Sequence, residues 1–276
     1  MNNTSNKKII FIVPELKFFL SHRLQLVRGL VDLGWNFVIV TSHDFQPEDE
    51  PGIRFEIFDT HRQRFSLINL IRNRSRLIKL VRLENPSLVY AVSHRSIFLA
   101  RIANFFVKKN SIYAISGMGS VFSRKLNSKD SLKSSILQIA VTYIYKYLIK
   151  SKYSNFLLQN NDDLDFLIKS KIVDANRAFI IRGNGIEDFK FSNALAETSS
   201  ITFIMISRLL RDKGVIEFLE ASKNILKKNN NIRFKLYGDI DAANFNSLNL
   251  SDIEPYLSPN LTYEGFIPDI QDCIQQ

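Results

Sequence analysis

Cysteine, glycine and long apolar runs are scarce in this sequence, and each scarcity removes a class of protein. One cysteine, Cys273, stands among 276 residues. It can close no internal disulfide and build no thiolate cluster, which speaks against a disulfide-stapled secreted domain and for a reducing compartment. The four histidines, His22, His43, His61 and His94, are scattered without an i, i+4 partner, so their spacing builds no zinc site. Only ten glycines are present. No G-x-G-x-x-G follows the first strand, and no G-K-[ST] loop or G-x-S-x-G elbow exists, which removes NAD enzymes, P-loop phosphoryl transfer and the commonest serine hydrolases. Met1–Lys8 is polar, and Ile9–Val13 is too short for a signal-peptide core. No apolar run reaches the ~18 residues of a membrane-spanning helix. Ile136–Tyr145 comes nearest and is broken by Gln138 and Thr142.

What remains is ordinary globular material: 45% hydrophobic and 23% charged residues, enough to exclude disorder. At about 150 residues per domain, the length suggests two domains. The charge is divided unevenly. Residues 1–195 carry 29 Lys/Arg against 16 Asp/Glu, whereas 196–276 carry 8 against 11. The basic part attracts polyanions, whether nucleic acid, anionic lipid or phosphorylated substrate, and composition does not choose among them.

Short β-branched runs alternate with helical periods along the chain. Strands are expected at Lys8–Val13, Asn36–Thr41, Ile53–Phe58, Leu88–Val92, Ser111–Ile115, Asn155–Leu158 and Ala178–Ile181. Helices are expected at Ser21–Leu33 (with Ser21 as N-cap and Gly34 as stop), Leu67–Leu83, His94–Phe106, Leu132–Lys152 and Asp162–Ser170. This alternation predicts a doubly wound parallel sheet over residues 1–191. After a polar linker, 192–200, the pattern restarts with strands Ile201–Ile206, Ile232–Tyr237 and Leu261–Tyr263 and a helix Val215–Lys228. A second Rossmann-like domain, 201–276, is therefore expected to be incomplete, with one side of its sheet uncovered.

Three places carry candidate chemistry. In Ser207–Gly214 (SRLLRDKG), Arg208 and Lys213 leave a strand and precede a helix. That puts two cations and a helix N-terminus at the carboxyl edge of a sheet, an arrangement suited to a diphosphate. On charge alone, a solvated turn explains them equally well. His94, just past a strand, suits contact with a ligand hydroxyl or acceptance of a proton, although packed histidines are commoner. Asn184, between Gly183 and Gly185, suits a helix cap or a hinge.

Residues 203–214 (FIMISRLLRDKG) resemble the opening of the second domain of retaining, GT-B-fold glycosyltransferases of family 4. Further matches follow in order: KIIFIV with SHRLQLVRGLVDLGWNFVIVT, NPSLVYAVSH, SGMGSVFS, LQNNDD, IRGNGIE, and LYG with EGF. The arrangement most resembles the branch that builds bacterial surface polysaccharide on a lipid carrier. The resemblance implies that Arg208 and Lys213 bind the diphosphate of a nucleotide-sugar. It also implies that Gly238, Phe266, Ile267, Pro268 and Asp269 border the base, and that Gly117 and Gly119 face the donor sugar. No cofactor or metal is implied. Many relatives place a cleft histidine where this chain has Ser116. The family's paired glutamates find no match after Gly265, so the chain as given is expected to be a fragment or an inactive copy.

The resemblance thus implies sugar transfer from a nucleotide-sugar to a lipid-linked saccharide at the cytoplasmic side of the plasma membrane. A same-fold nucleotide-sugar epimerase and a non-catalytic basic remnant remain alternatives. Residues Leu67–Leu83 add Arg72, Arg74, Arg76, Lys79 and Arg82, with no acid from Thr60 to Leu83. Such a helix suits an anionic membrane surface or a solvated basic face. Leu132–Lys152, with Tyr143, Tyr147, Lys146 and Lys150, is a second candidate of that kind. No nucleic-acid-binding module is recognisable.

Overall fold

A computed structural model of the chain describes residues 7–42, 47–58, 67–117, 146, 151–183, 201–241, 244 and 246–267. The chain divides into two compact units, Met1–Ile186 and Glu187–Gln276. Among the described residues, the first unit holds strands β1 (Lys8–Ile12), β2 (Asn36–Thr41), β3 (Ile53–Ile57), β4 (Leu88–Val92), β5 (Ser111–Ile115), β6 (Ser154–Leu158) and β7 (Ala178–Ile180). Its helices are α1 (Leu16–His22), α2 (Leu24–Asp32), α3 (Leu67–Glu84), α4 (His94–Val107) and α5 (Asn161–Lys169). The sheet order is β3-β2-β1-β4-β5-β6-β7, and every pairing is parallel.

The apolar runs are explained by this sheet, because parallel strands with helices on both faces bury side chains on both sides. Alternation then sorts residues between two cores. Ile10, Ile12, Val38, Val40, Val89, Ala91, Tyr113 and Phe156 pack with Leu77, Leu80 and Val81 of α3, Ile97 and Ala100 of α4, and Leu167 of α5. Their neighbours Ile9, Phe11, Phe37, Ile39 and Phe55 turn the other way, onto Leu16 and Phe19 of α1 and Val27 of α2.

One expectation needs correction. Residues 16–32 form two helices rather than one beginning at Ser21, and they meet at Arg23 (φ −131°, ψ −17°). Ser21 caps nothing; its hydroxyl lies inside α1 and donates to the Lys17 carbonyl at 2.7 Å. The buried apolar pair Leu16 and Phe19 draws the chain into a helix earlier than the expected cap at Ser21. Gly34 does end the pair of helices. At φ +82°, its N–H reaches the Val31 carbonyl, while that of Trp35 reaches Leu30, closing a Schellman motif.

The second unit holds β8 (Ile201–Ile206), β9 (Ile232–Tyr237) and β10 (Leu261–Gly265), with α6 (Val215–Leu226) and a one-turn α7 (Leu250–Ile253). The sheet order is β10-β9-β8, again parallel. Its core gathers Leu209, Val215, Leu219, Phe234, Leu236, Leu248, Ile253 and Leu261. Among the described residues β8 pairs only with β9, and Ile201 and Phe203 are exposed. The helix α7 has no counterpart in the sequence reading. A capping box between Asn249 and Asp252 forms it, a local signal in a stretch too short for periodicity.

In the first unit Glu84 links three elements. It ends α3, receives Lys8 of β1 at 2.8 Å and Arg54 of β3 at 2.7 Å, and is almost buried. The Lys8 hydrogen bond, supported by Arg54, holds its carboxyl below the ordinary value against the opposing effect of burial. A carboxylate with a depressed pKa stabilises the fold above its unfolded pKa and loses that contribution as pH falls through the folded value. Glu84→Gln should therefore cost about 2 kcal/mol at neutral pH. The deficit should shrink in acid, below the ordinary value of 4.5. The urea midpoint of Trp35 fluorescence measures this, since the chain's single tryptophan lies in the first unit.

Candidate active site

In the first unit the order of strands reverses direction between β1 and β4, and open α/β sheets leave a crevice at the carboxyl ends of such a pair. Ser93 and His94 occupy that position. Ser93 takes φ +76° and ψ 153°, a region nearly reserved for glycine, where a side chain costs about 1–3 kcal/mol. The strained residue turns β4 into α4 and accepts the first helical bond, from Ile97 at 2.9 Å. His94 then reaches the end of β5, where its Nε2 lies 2.9 Å from the Gly117 carbonyl. A carbonyl can only accept, so Nε2 carries the proton and is the donor. The structure thus joins two residues singled out from sequence, His94 and Gly117. A Cβ on Gly117 would meet nothing within 4 Å, so its α-carbon faces open space while its carbonyl is held.

Burial is the largest influence on His94 and lowers its pKa; the Gly117 bond and Asp163 oppose it more weakly. Asp163 belongs to the cap of α5, where Asn160 accepts from its N–H at 2.8 Å.

Beside this edge lies a pocket of about 130 Å³ lined by His22, Arg23, Tyr90, Ser116, Gln159 and Gly183 among others. Arg23 is only 8% exposed, and burial lowers its pKa. Sequence reasoning quoted His22-Arg23 only as part of a motif. No signal in the sequence announces its burial, because the helix break at that residue lies within a continuous apolar period.

In the second unit, the loop after β8 is held from several sides. Leu209 donates to Asp239 at 3.0 Å and accepts from Leu248 at 2.8 Å, while Arg211 donates to Asn246 at 2.9 Å. Arg208 donates to Asp241 at 2.8 Å, and Arg211 pairs with Asp252 at 3.1 Å. Arg208 is thus not the open cation expected from sequence. Its bond to Asp241 uses Nη1, leaving the rest of the guanidinium fork for a ligand. Lys213 is exposed at the end of a single 3₁₀ turn, with no ion pair among the described residues.

Gly238, at the end of β9, is required by space. A Cβ there would sit 1.7 Å from the Ser207 carbonyl oxygen. Its N–H donates to Gly265 at 2.8 Å, and its carbonyl accepts from the Tyr263 hydroxyl at 2.8 Å. The contact therefore gathers Gly238, Ser207-Arg208 and the turn leading to Phe266 and Ile267 at one edge. Gly119, Asn184 and Asp269 lie outside the described residues, as do the linker 192–200 and nearly all of Leu132–Lys152. Asp241, Asn246 and Asp252 were missed, because only tertiary structure brings them to the Arg208 loop.

Residues 8–160 match the family described as glycosyl transferase 4-like. The chain belongs to this family. No curated protein is significantly similar to it. Among solved structures, a glycosyltransferase from Rickettsia africae is 13% identical with a TM-score of 0.68, over 97% of this chain and 70% of that one. Sucrose-phosphate synthase from Thermosynechococcus elongatus is 14% identical with a TM-score of 0.69, over 94% and 70%. Anabaena HepE, solved with UDP and glucose, is 16% identical with a TM-score of 0.67, over 97% and 71%. These likenesses are of fold, and the shared architecture is that of GT-B glycosyltransferases.

Two expectations test the edges of this glycosyltransferase. Gly238→Ala must displace Ser207, so α6 and β9 should lose protection in hydrogen exchange while the first unit keeps its own. A buried histidine with a lowered pKa leaves the unfolded state to bind the extra proton, so stability is lost as pH falls below the ordinary 6.5. His94→Gln, which retains a donor, should flatten that decline in Trp35 urea midpoints between neutral pH and about pH 5.

Proposed function

We propose that the reaction of this glycosyltransferase is transfer of a sugar from a nucleotide-sugar to a hydroxyl of a lipid-linked saccharide, with retention of anomeric configuration; absence of transfer by these 276 residues in the test below would instead bear out the inactive copy expected from the unmatched glutamates. The observation that carries this reading is the tied Ser207–Lys213 loop at the carboxyl edge of a parallel sheet, in a chain of this family. As the bond from the anomeric carbon to the diphosphate breaks, negative charge gathers on the leaving phosphate oxygens. Cations fixed beforehand stabilise that charge best, since they need not reorganise. Asp241 holds Arg208 in place, and Lys213 supplies the second charge. Gly238 admits no side chain beside them and suits the border of the base, with Phe266 and Ile267 following. In the first unit, His94 positions the Gly117 backbone, which suits a wall for the sugar. Support for the donor class comes from HepE, a structural neighbour solved with UDP and glucose. A same-fold epimerase would act without an acceptor, and the family match favours transfer.

The test supplies the chain with a panel of nucleotide-sugars and a bacterial membrane lipid extract, and reads the lipid by mass spectrometry. One saccharide-lipid should gain the mass of one sugar. Arg208→Ala and Lys213→Ala should each slow transfer by about 100-fold, the effect of losing one such stabiliser at ~3 kcal/mol. Unchanged turnover in both variants overturns the donor assignment. A sugar inverted at one carbon with no acceptor consumed would identify an epimerase instead.

A further inference from the structure

We propose that the outer face of α3, with Phe105 and Phe106 of α4, docks the protein on an anionic lipid bilayer. The inference deepens the reading above, since a bilayer is where a lipid-linked acceptor lies, but its observations and test leave the donor loop aside.

The exposed residues of α3 are Ile71, Arg72, Ser75, Arg76, Lys79, Arg82 and Leu83, whereas Asn73, Leu77, Leu80 and Val81 are buried. At 100° per residue, the exposed set covers one arc of roughly 140°. Residues 67–109 contain nine Lys/Arg and one acid, Glu84. That acid is committed inward to Lys8 and Arg54. A solvated helix face ordinarily alternates charges so that i, i+4 neighbours attract. This face has only like charges, so it repels itself until an anion arrives. Two arginines of α3 are withdrawn. Arg76 donates to the Ile57 carbonyl at 3.0 Å and lies 4.4 Å from the Phe58 ring, which removes it from the stripe read in the sequence. Arg74 lies 5.4 Å from the Phe106 ring. Arg72, Lys79 and Arg82 remain, with no ion pair among the described residues.

The second observation is apolar. Leu83 is 75% exposed, Phe105 68%, Ile71 57% and Phe106 50%. The two phenylalanine rings meet edge to face at 5.5 Å, and the Arg74 stack joins them to α3 one turn from Ile71. Large exposed apolar groups beside unpartnered cations match a bilayer interface, where rings enter the acyl boundary and cations meet phosphates. Nucleic acid would use the cations but not the aliphatic Leu83 and Ile71. No described helix is long and apolar enough to cross a membrane, so α3 lies on the surface.

The experiment is co-sedimentation with phosphatidylcholine vesicles, with and without phosphatidylglycerol, at rising salt and with no sugar donor present. Binding should require phosphatidylglycerol and weaken as salt rises. Each neutralised cation should cost about fivefold, so the triple variant Arg72→Gln, Lys79→Gln, Arg82→Gln should lose roughly 100-fold in partitioning. The double variant Phe105→Ser, Phe106→Ser should lower binding at every salt concentration. All these side chains are exposed, so an unchanged Trp35 urea midpoint shows that the variants fold. Equal binding to both vesicle types, or binding indifferent to both variants, overturns the proposal. So does an equal fall in transfer-RNA binding for the cation variant together with no vesicle effect of the phenylalanine variant, an outcome that would identify a general polyanion face. Loss of transfer with vesicle binding intact would count against the catalytic reading alone.

Discussion

Because every described strand in both sheets runs parallel, every strand end is delivered to one edge of its sheet, and the candidate chemistry follows from that. Parallel pairing demands long crossovers, and in the first unit the crossover helices cover both faces of the sheet. The polar side chains these strands do carry, such as Arg54, Ser111 and Ser154, are committed to neighbouring elements or buried. Whatever binds a polar ligand must therefore sit where strands end. Ser93-His94 after β4, Ser116-Gly117 after β5, Ser207-Arg208 after β8 and Gly238 after β9 are the residues found there. In both units the edge is made rigid by contacts between adjacent strand ends. His94 holds Gly117, and Gly238 is pressed against Ser207.

Much of this was legible because it is local. Apolar runs of five or six residues announced the strands, alternation within them sorted the two cores, and Gly34 announced the end of α2. The SRLLRDKG stretch was legible as the loop that leaves a strand and enters a helix, because the three are contiguous there. What escaped the sequence is long-range or conformational. Asp241 follows Arg208 by 33 residues, and no spacing rule joins them. Ser93 adopts a backbone conformation that serine does not advertise, so the turn aiming His94 left no trace in composition. The break at Arg23 was hidden because α1 and α2 continue one apolar period across it. Gly238 was legible as a glycine but not as a necessity, which depends on the Ser207 carbonyl.

Counting cations misleads unless their partners are known. Arg76 and Arg74 are spent on aromatic rings, and Arg208 and Arg211 on carboxylates, although all four read as surface charge. Arg72, Lys79 and Arg82 differ because the single acid in residues 67–109, Glu84, is turned into the fold to hold β1 and β3 against α3. The ion pair that stabilises the first unit also leaves the outer face of α3 without a counter-charge among the described residues. Stability and surface field are thus set by one side chain.

The distribution of charge between the units makes the same point at larger scale. The segment assigned to a diphosphate lies in the part of the chain with more acids than bases, 11 against 8 beyond residue 195. Net charge would place an anion elsewhere. Yet fields from exposed charges are largely screened beyond about 8 Å at physiological salt, so the second unit's overall sign matters little to a ligand touching the loop after β8. What a diphosphate bound as proposed would meet is local: Lys213 and the arm of Arg208 that Asp241 leaves unused. The carboxylates of Asp241 and Asp252 belong to this arrangement, because they fix the arginines that a flexible surface would leave disordered. An acidic unit can therefore present a cationic loop, with its acids acting as the loop's supports.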